Sequence, residues 1–269
     1  MNANRRAGMT LLELLVVLMV LSLILTAAVK AWDVTLERGR FETTRKRLDQ
    51  IATAITGDPA YVVAGRRADF GFIGDMGRLP ENLVELAVAP PVSPPESSRW
   101  RGPYLRAPFN ESPTAFLFDG WGDSILYSKD SLFLRSYGGR GLVDRTRWLT
   151  RSLGFERRAL LQNTVQGRVV DVRGVTPPAN DTILAGIRVT LEYPFEGRTY
   201  ATSLTGLQLS NGQFSFANIP QGNHTLLGKY IHFTPPRDSV MTTMNVTVYP
   251  GFGAQDVRLQ LNVDWNNEP

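Results

Sequence analysis

Glu13 is the one acid in an apolar stretch that runs from Met9 to Val29, where otherwise only Thr10, Ser22 and Thr26 are polar. A carboxylate in hydrocarbon costs on the order of 2.5–3.5 kcal/mol on insertion scales, so it needs a nearby interface or a positive partner. The two histidines, His224 and His232, fit no zinc or di-iron spacing and are expected close together in β-structure, in structural roles. The chain has no cysteine, which excludes disulfides, thiolate metal sites and cysteine nucleophiles. No G-x-S-x-G elbow, phosphate loop or dinucleotide fingerprint occurs, and GDMG and GGRG read as loop glycines. No catalytic residues and no cofactor are expected.

A helix must position Glu13. The 21 residues from Met9 to Val29 would span roughly 31 Å at ~1.5 Å per residue, enough for the hydrocarbon core of a bilayer. Arg5 and Arg6 precede the run and Lys30 follows it, which favours a cytoplasmic N-terminus. A cleaved secretory signal would have a shorter apolar region, ~7–15 residues, without an acid. No proline occurs before Pro59, and helical spacing continues beyond the run. Phe41, Leu48, Ile51, Ala52 and Ile55 fall on one face, with Arg38, Arg40, Arg45, Lys46 and Arg47 solvated between them. Gly57–Pro59 is a stop signal. The expectation is one helix from Met9 to Thr56, roughly 70 Å long. Its first half is apolar all round and its second half amphipathic.

The segment RRAGMTLLELLVVLMVLSLIL resembles the class III leader and N-terminal helix of type IV pilins and type II secretion pseudopilins. It has a short basic leader ending in Gly8, then an apolar residue, Thr10, two aliphatics, Glu13 and a long apolar stretch. Many members of that family carry Phe where this chain has Met9. The resemblance implies that a prepilin peptidase cuts between Gly8 and Met9 and that the new amine is methylated. It also implies that Thr10 and Glu13 serve filament assembly. The Met9 amine, its own or a neighbour's, would compensate the Glu13 charge and set the axial register; buried ion pairs are better at register than at net stability.

In the middle of the chain, RLPENLVELAVAP (Arg78–Pro90) reads as a short helix with Leu83, Leu86 and Ala87 on one side. PPVSPPESS (Pro90–Ser98) is a surface loop, and Trp100–Phe109 is turn-rich with aromatic anchors. Ile125–Tyr127 and Leu132–Arg135 form a hairpin around Ser128–Ser131. The pieces GRLPENLVEL, WRGPYL, DGWGDSILY and SYGGRG, in that order, resemble the globular part of the major pseudopilin of type II secretion. That family often holds calcium in an acid-rich loop. Here the loop has Asp144 as its only acid beside Arg140, Arg145 and Arg147, which argues against a calcium site. Trp100, Tyr104, Trp121 and Tyr127 are expected to pack against the long helix.

From Asn163 the pattern changes to short alternating strands. Ile187, Val189 and Leu191 face one way and Arg188, Thr190 and Glu192 the other, with a turn at Glu196–Gly197. Seven such strands over about 100 residues suggest an antiparallel sandwich. VQGRVVD, GIRVTL, SNGQFSFANIPQGNHTLL and GAQDVRLQL resemble a transthyretin-like, carboxypeptidase regulatory-like domain. That resemblance puts Gly212 and Gly222 in turns and Phe214 and Phe216 in the core. Related domains can carry a Lys–Asn crosslink, but the first strand offers Gln166 and Arg168 without a lysine, so none is expected.

The expected fold is α+β: a long helix packed on a small antiparallel sheet, then a seven-stranded Greek-key sandwich. The divisions are a leader (1–8), the helix (9–57, membrane part 9–29), a pseudopilin-like domain (58–162), the sandwich (163–262) and a tail (263–269). Net charge is +4 with 29 basic and 25 acidic residues, too balanced for nucleic-acid binding. The resemblances imply a filament subunit in the bacterial inner membrane, single-pass, with its C-terminal part periplasmic or carried into a surface filament. Its partners would be a prepilin peptidase, other pilin-like subunits and, indirectly, an assembly platform and ATPase. The alternative is a single-pass anchored binding protein that does not polymerise.

Overall fold

The computed structural model describes residues 11–91, 98–105, 112, 114–206, 209, 211–232 and 238–267. A single helix, α1 (Leu11–Thr56), spans 46 residues, roughly 69 Å. Ser22 and Thr26 donate their hydroxyls to the carbonyls of Leu18 and Ser22, so neither leaves a polar group unpaired in the apolar half. In the second half Thr44, Leu48, Ile51, Ala52, Ala54, Ile55 and Thr56 are buried. Gly57 ends the helix in the left-handed region, φ +83°, with its N–H on the Thr53 carbonyl at 2.7 Å. The guanidinium of Arg67 donates to the free Thr56 carbonyl at 2.7 Å, placing a cation at the negative helix end.

A small hairpin, β1 (Val62–Val63) and β2 (Arg66–Arg67), leads to α2 (Gly71–Met76). This helix includes Gly74 and Asp75 and is capped by Gly77 at φ +66°, so GDMG is a helix and its cap rather than a loop. Phe72, Ile73 and Met76 are fully buried against the end of α1. The Arg78–Pro90 segment shortens to one 3₁₀ turn, Leu83–Leu86, started by the Asn82 side chain accepting from Val84 N–H. The predicted hairpin is present as β3 (Leu126–Ser128) and β4 (Phe133–Ser136). A third strand, β5 (Leu149–Ser152), which the sequence pattern did not show, completes the sheet. Most of Pro90–Ser98 and of Arg106–Phe109 lies outside the described residues.

After α3 (Arg157–Leu161) come β6 (Asn163–Val170), α4 (Asp181–Gly186), β7 (Ile187–Phe195) and β8 (Arg198–Thr205). Then follow β9 (Gln213–Ile219), β10 (Gly222–Ile231), β11 (Ser239–Val248) and β12 (Ala254–Gln260). They form one sheet in the order β11-β10-β7-β8 and another in the order β12-β6-β9. Ile187, Val189 and Leu191 point inward with Phe214 and Phe216, as alternation predicts. Glu196 and Gly197 both have positive φ, the backbone of a two-residue hairpin turn. The sandwich is not wholly antiparallel: β12 pairs with β6 in parallel, with a register shift between Ala254 and Val257 that accommodates Asp256 at φ +51°. Helix α4 was not foreseen either; Asn180 caps it. Within the segment expected to be a tail, Val263 and Trp265 are buried in the sandwich core, with the Trp265 indole donating to the Val175 carbonyl.

Candidate functional site

Among the described residues nothing buries the apolar half of α1. Every residue from Leu11 to Leu36 is exposed, Leu11 at 83% and Leu12 at 74% beside Glu13. A continuous apolar surface of that length must be covered by lipid or by like helices. Glu13 lies in the first turn, where the helix dipole favours a negative charge. Gly8, Met9 and Thr10 lie outside the described residues.

The folded part grips α1 where this free half ends. Glu37 accepts from the Arg147 guanidinium at 2.7 Å and from the Trp121 indole at 3.2 Å. Desolvation acts to raise its pKa, but these two bonds and the Arg147 charge outweigh it and hold the carboxyl below its ordinary value. The Trp121 ring meets Phe41 edge-on at 4.8 Å, and Arg147 lies over both rings. Thr44 accepts the Gly120 N–H at 2.8 Å. Arg47, expected in solvent, instead donates to the Phe118 carbonyl at 2.7 Å. The 119–123 turn behind these contacts is built on buried Asp119, which accepts from Trp121 N–H, Asp123 N–H and the Ser136 hydroxyl. Trp121 therefore packs on the long helix as expected. Trp100 and Tyr104 pack against the core cluster that includes the end of α1: the Trp100 indole donates to the Glu85 carbonyl, and Tyr104 packs on Phe72 and donates to Asp75. Tyr127 packs into the core cluster that includes the end of α1.

The sandwich is joined to the far end of the same helix. Gln221, fully buried, donates to the Thr56 carbonyl at 2.9 Å and to the Phe70 carbonyl at 3.3 Å. Gly197 N–H donates to Met76 at 2.7 Å, and Arg99 N–H to Gly197 at 2.9 Å. Sequence reasoning missed Glu37, Arg147 and Gln221. Their partners lie up to 165 positions away, and no local pattern marks them.

An open cleft of about 590 Å³ on the sandwich is lined by the hydrogen-bonding side chains of Gln166, Arg168, Gln213, Ser215, Gln255 and Asp256 together with Gly167, Leu204 and Phe214. The histidines are not close together: His224 lies near the start of β10 and His232 just past its other end. His224 is buried, with its Nε2 on the Pro220 carbonyl at 2.7 Å, and burial pulls its pKa down to about 4. His232 lies beside Tyr230. Asp144 is engaged within its own loop, accepting from the backbone N–H and hydroxyl of Thr146. Among the described residues no group of three or more His, Cys, Asp or Glu side chains is placed to hold a metal ion.

An exposed apolar helix, carrying one acid and continuous with a gripped amphipathic half, fits a membrane-anchored protein with a folded part on the far end of that helix. The family model for the prokaryotic N-terminal methylation motif matches residues 3–29. That motif and the long apolar helix together support a type IV pilin-like protein, a structural subunit rather than an enzyme. No curated protein and no solved structure matches the chain.

Proposed function

We propose that the chain is a filament subunit of a type II secretion or type IV pilus system. A prepilin peptidase removes residues 1–8 and methylates Met9. The mature chain waits in the inner membrane with its folded part in the periplasm, and assembly machinery extracts it into a pseudopilus or surface filament. The carrying observation is the apolar half of α1, wholly exposed and interrupted by Glu13 alone among charged residues before Lys30. In a bundle of such helices the carboxylate requires the positive amine of its own Met9 or of a neighbour, and this requirement selects the axial stagger. The C-terminal sandwich serves binding or spacing. Its two-sheet build, the turn at Asn211–Gly212 with both φ positive, and buried Phe214 and Phe216 support the transthyretin-like reading.

Two measurements test this. Mass spectrometry of the membrane-resident chain should find a mature N-terminus at methylated Met9; an intact Met1 would favour the anchored, non-polymerising alternative. Glu13→Ala should leave membrane insertion intact and abolish incorporation into filaments, whereas unchanged incorporation would remove the register role.

A further inference from the structure

Val143 is 94% exposed, more than any other large apolar side chain among the described residues, and Leu142 beside it is 69% exposed. Both lie in the connection between β4 and β5, residues 137–148. The position of that connection follows from the register: Ser136 pairs with Leu149 and Phe133 with Ser152. Arg151 of β5 pairs with Asp49 of α1 at 2.7 Å, and Arg147 pairs with Glu37 at 2.7 Å. Moving from β5 into the connection therefore moves along α1 toward its apolar half. The connection is the end of this sheet nearest the membrane segment.

The tip is held outward by its base. The Trp148 indole donates to the Gly141 carbonyl at 3.1 Å and stacks edge-on with Tyr137, while Gly138 N–H donates to Ser136. Arg140 and Arg145, both exposed, flank the apolar pair. Of the nearby acids, Asp144 is bonded to Thr146 and Glu37 to Arg147, leaving Asp33 and Glu42 of α1 exposed at this level. Trp32, 68% exposed on α1, lies just past the apolar run.

We propose that this tip rests on the bilayer from which α1 emerges, with Leu142 and Val143 in the headgroup layer and Arg140 and Arg145 against anionic lipid phosphates. The proposal rests on the membrane-anchored reading of α1. Eight residues separate Val29 from Glu37, roughly 12 Å of helix. The headgroup layer accounts for roughly 5–8 Å of that. The tip extends several residues beyond Arg147, at most ~3.3 Å each, which covers the remainder. Basic residues beside an apolar anchor suit a negatively charged membrane surface, which attracts juxtamembrane cations. Trp32 is of the residue type that settles at that boundary. The contact would hold the folded part at a fixed tilt over the membrane until the subunit is extracted.

The lack of native cysteine makes the test direct. The full chain carrying an environment-sensitive dye at Val143→Cys is reconstituted in vesicles of phosphatidylcholine, with or without phosphatidylglycerol, containing a headgroup spin-label quencher. The same dye at Asn245→Cys, exposed on β11 of the sandwich, is the distant control. The expected result is a blue shift and strong quenching at position 143 and none at 245. The effect should be larger with phosphatidylglycerol, and Arg140→Gln with Arg145→Gln should abolish that increment. Vesicle flotation of the same sample separates two failures. A chain that does not float overturns the anchored reading. A chain that floats with the dye at 143 as solvated as at 245 overturns the docking alone. An increment that survives the arginine substitutions overturns the role of charge. A blue shift that follows protein density and ignores lipid composition assigns the tip to a second copy and also overturns the proposal.

Discussion

Gly57 and Gly39 lie in or at the end of the same helix, and the structure predicts opposite outcomes for alanine at each. At Gly57 the backbone has φ +83°, and an added Cβ would lie 2.4 Å from Phe70 Cα and 2.5 Å from the Asp69 carbonyl oxygen. Both neighbours are backbone, so no side chain can rotate away. The left-handed conformation costs a non-glycine residue about 1–2 kcal/mol. Forcing apart two packed backbones costs about 1–3 kcal/mol more. The separation would also strain the bonds that Arg67 and Gln221 make to the Thr56 carbonyl. Gly57→Ala should therefore destabilise the folded part by about 2–5 kcal/mol, a large fraction of a usual total of about 5–15. For a folded region of this size that lowers Tm by roughly 5–15 °C. At Gly39, in the helix interior, no atom of the described residues lies within 4 Å of where a Cβ would sit. Gly39→Ala should stabilise by about 0.5–1 kcal/mol, because alanine loses less backbone freedom than glycine. Calorimetric melting of both variants of the full chain in one detergent is the assay. Equal Tm values for Gly57→Ala and wild type would refute the close backbone packing at the helix end, and a destabilising Gly39→Ala would refute the open surface there.

Other consequences concern buried and charged groups. Because His224 is neutral and buried with its pKa down at about 4, against an ordinary 6.5, the unfolded chain binds more protons between those values. Stability should hold above pH 6.5, fall by roughly 3 kcal/mol toward pH 4 and then level; acid titration of the urea midpoint in wild type and His224→Phe checks this, the variant losing most of the slope. Asp119→Ala removes the acceptor for two backbone N–H groups and the Ser136 hydroxyl in a buried turn, and should cost about 3–5 kcal/mol by urea denaturation. Glu37→Gln should speed amide hydrogen exchange in residues 138–148 at neutral pH. The folded value of Glu37 lies below its ordinary 4.5, so its contribution is complete above that and is lost as pH falls through the lowered value. Wild type and variant should therefore converge in acid.

The parts legible in the sequence are those whose cause is local. Helix α1 shows itself because proline is absent up to Pro59 and because apolar residues recur at helical spacing. The inward Ile187, Val189 and Leu191 show themselves because a strand alternates. The misreadings share an opposite cause. Gly74 and Gly77 looked like loop residues because glycine has little local helix preference, yet α2 forms because Phe72, Ile73 and Met76 bury fully against the end of α1. The β5 strand, LTRS, carries no alternating pattern and exists by pairing with β4. The parallel β6–β12 ladder joins residues about 90 positions apart, a distance at which no sequence spacing speaks.

The candidate site divides along the same line. Glu13 stands out because a charge in an apolar run is locally costly, and a cost is visible without knowing the partner. Arg147 and Gln221 are ordinary residues in ordinary surroundings until the fold brings them to Glu37 and Thr56. The two differ in what they can transmit. In the proposed filament Glu13 would act at the helix core, compensated by the amine of its own Met9 or of a neighbour. Arg147 and Gln221 act within one chain, fastening the folded part to α1 at Glu37 and at Thr56, 19 residues apart and roughly 29 Å along the helix. Two fastenings that far apart resist tilting of the folded part relative to α1, where one would act as a pivot. If the proposed filament forms, a stagger set at Glu13 would be carried as a fixed orientation to the sandwich, and weakening either fastening should blur the outer surface of that filament while leaving its helical core intact.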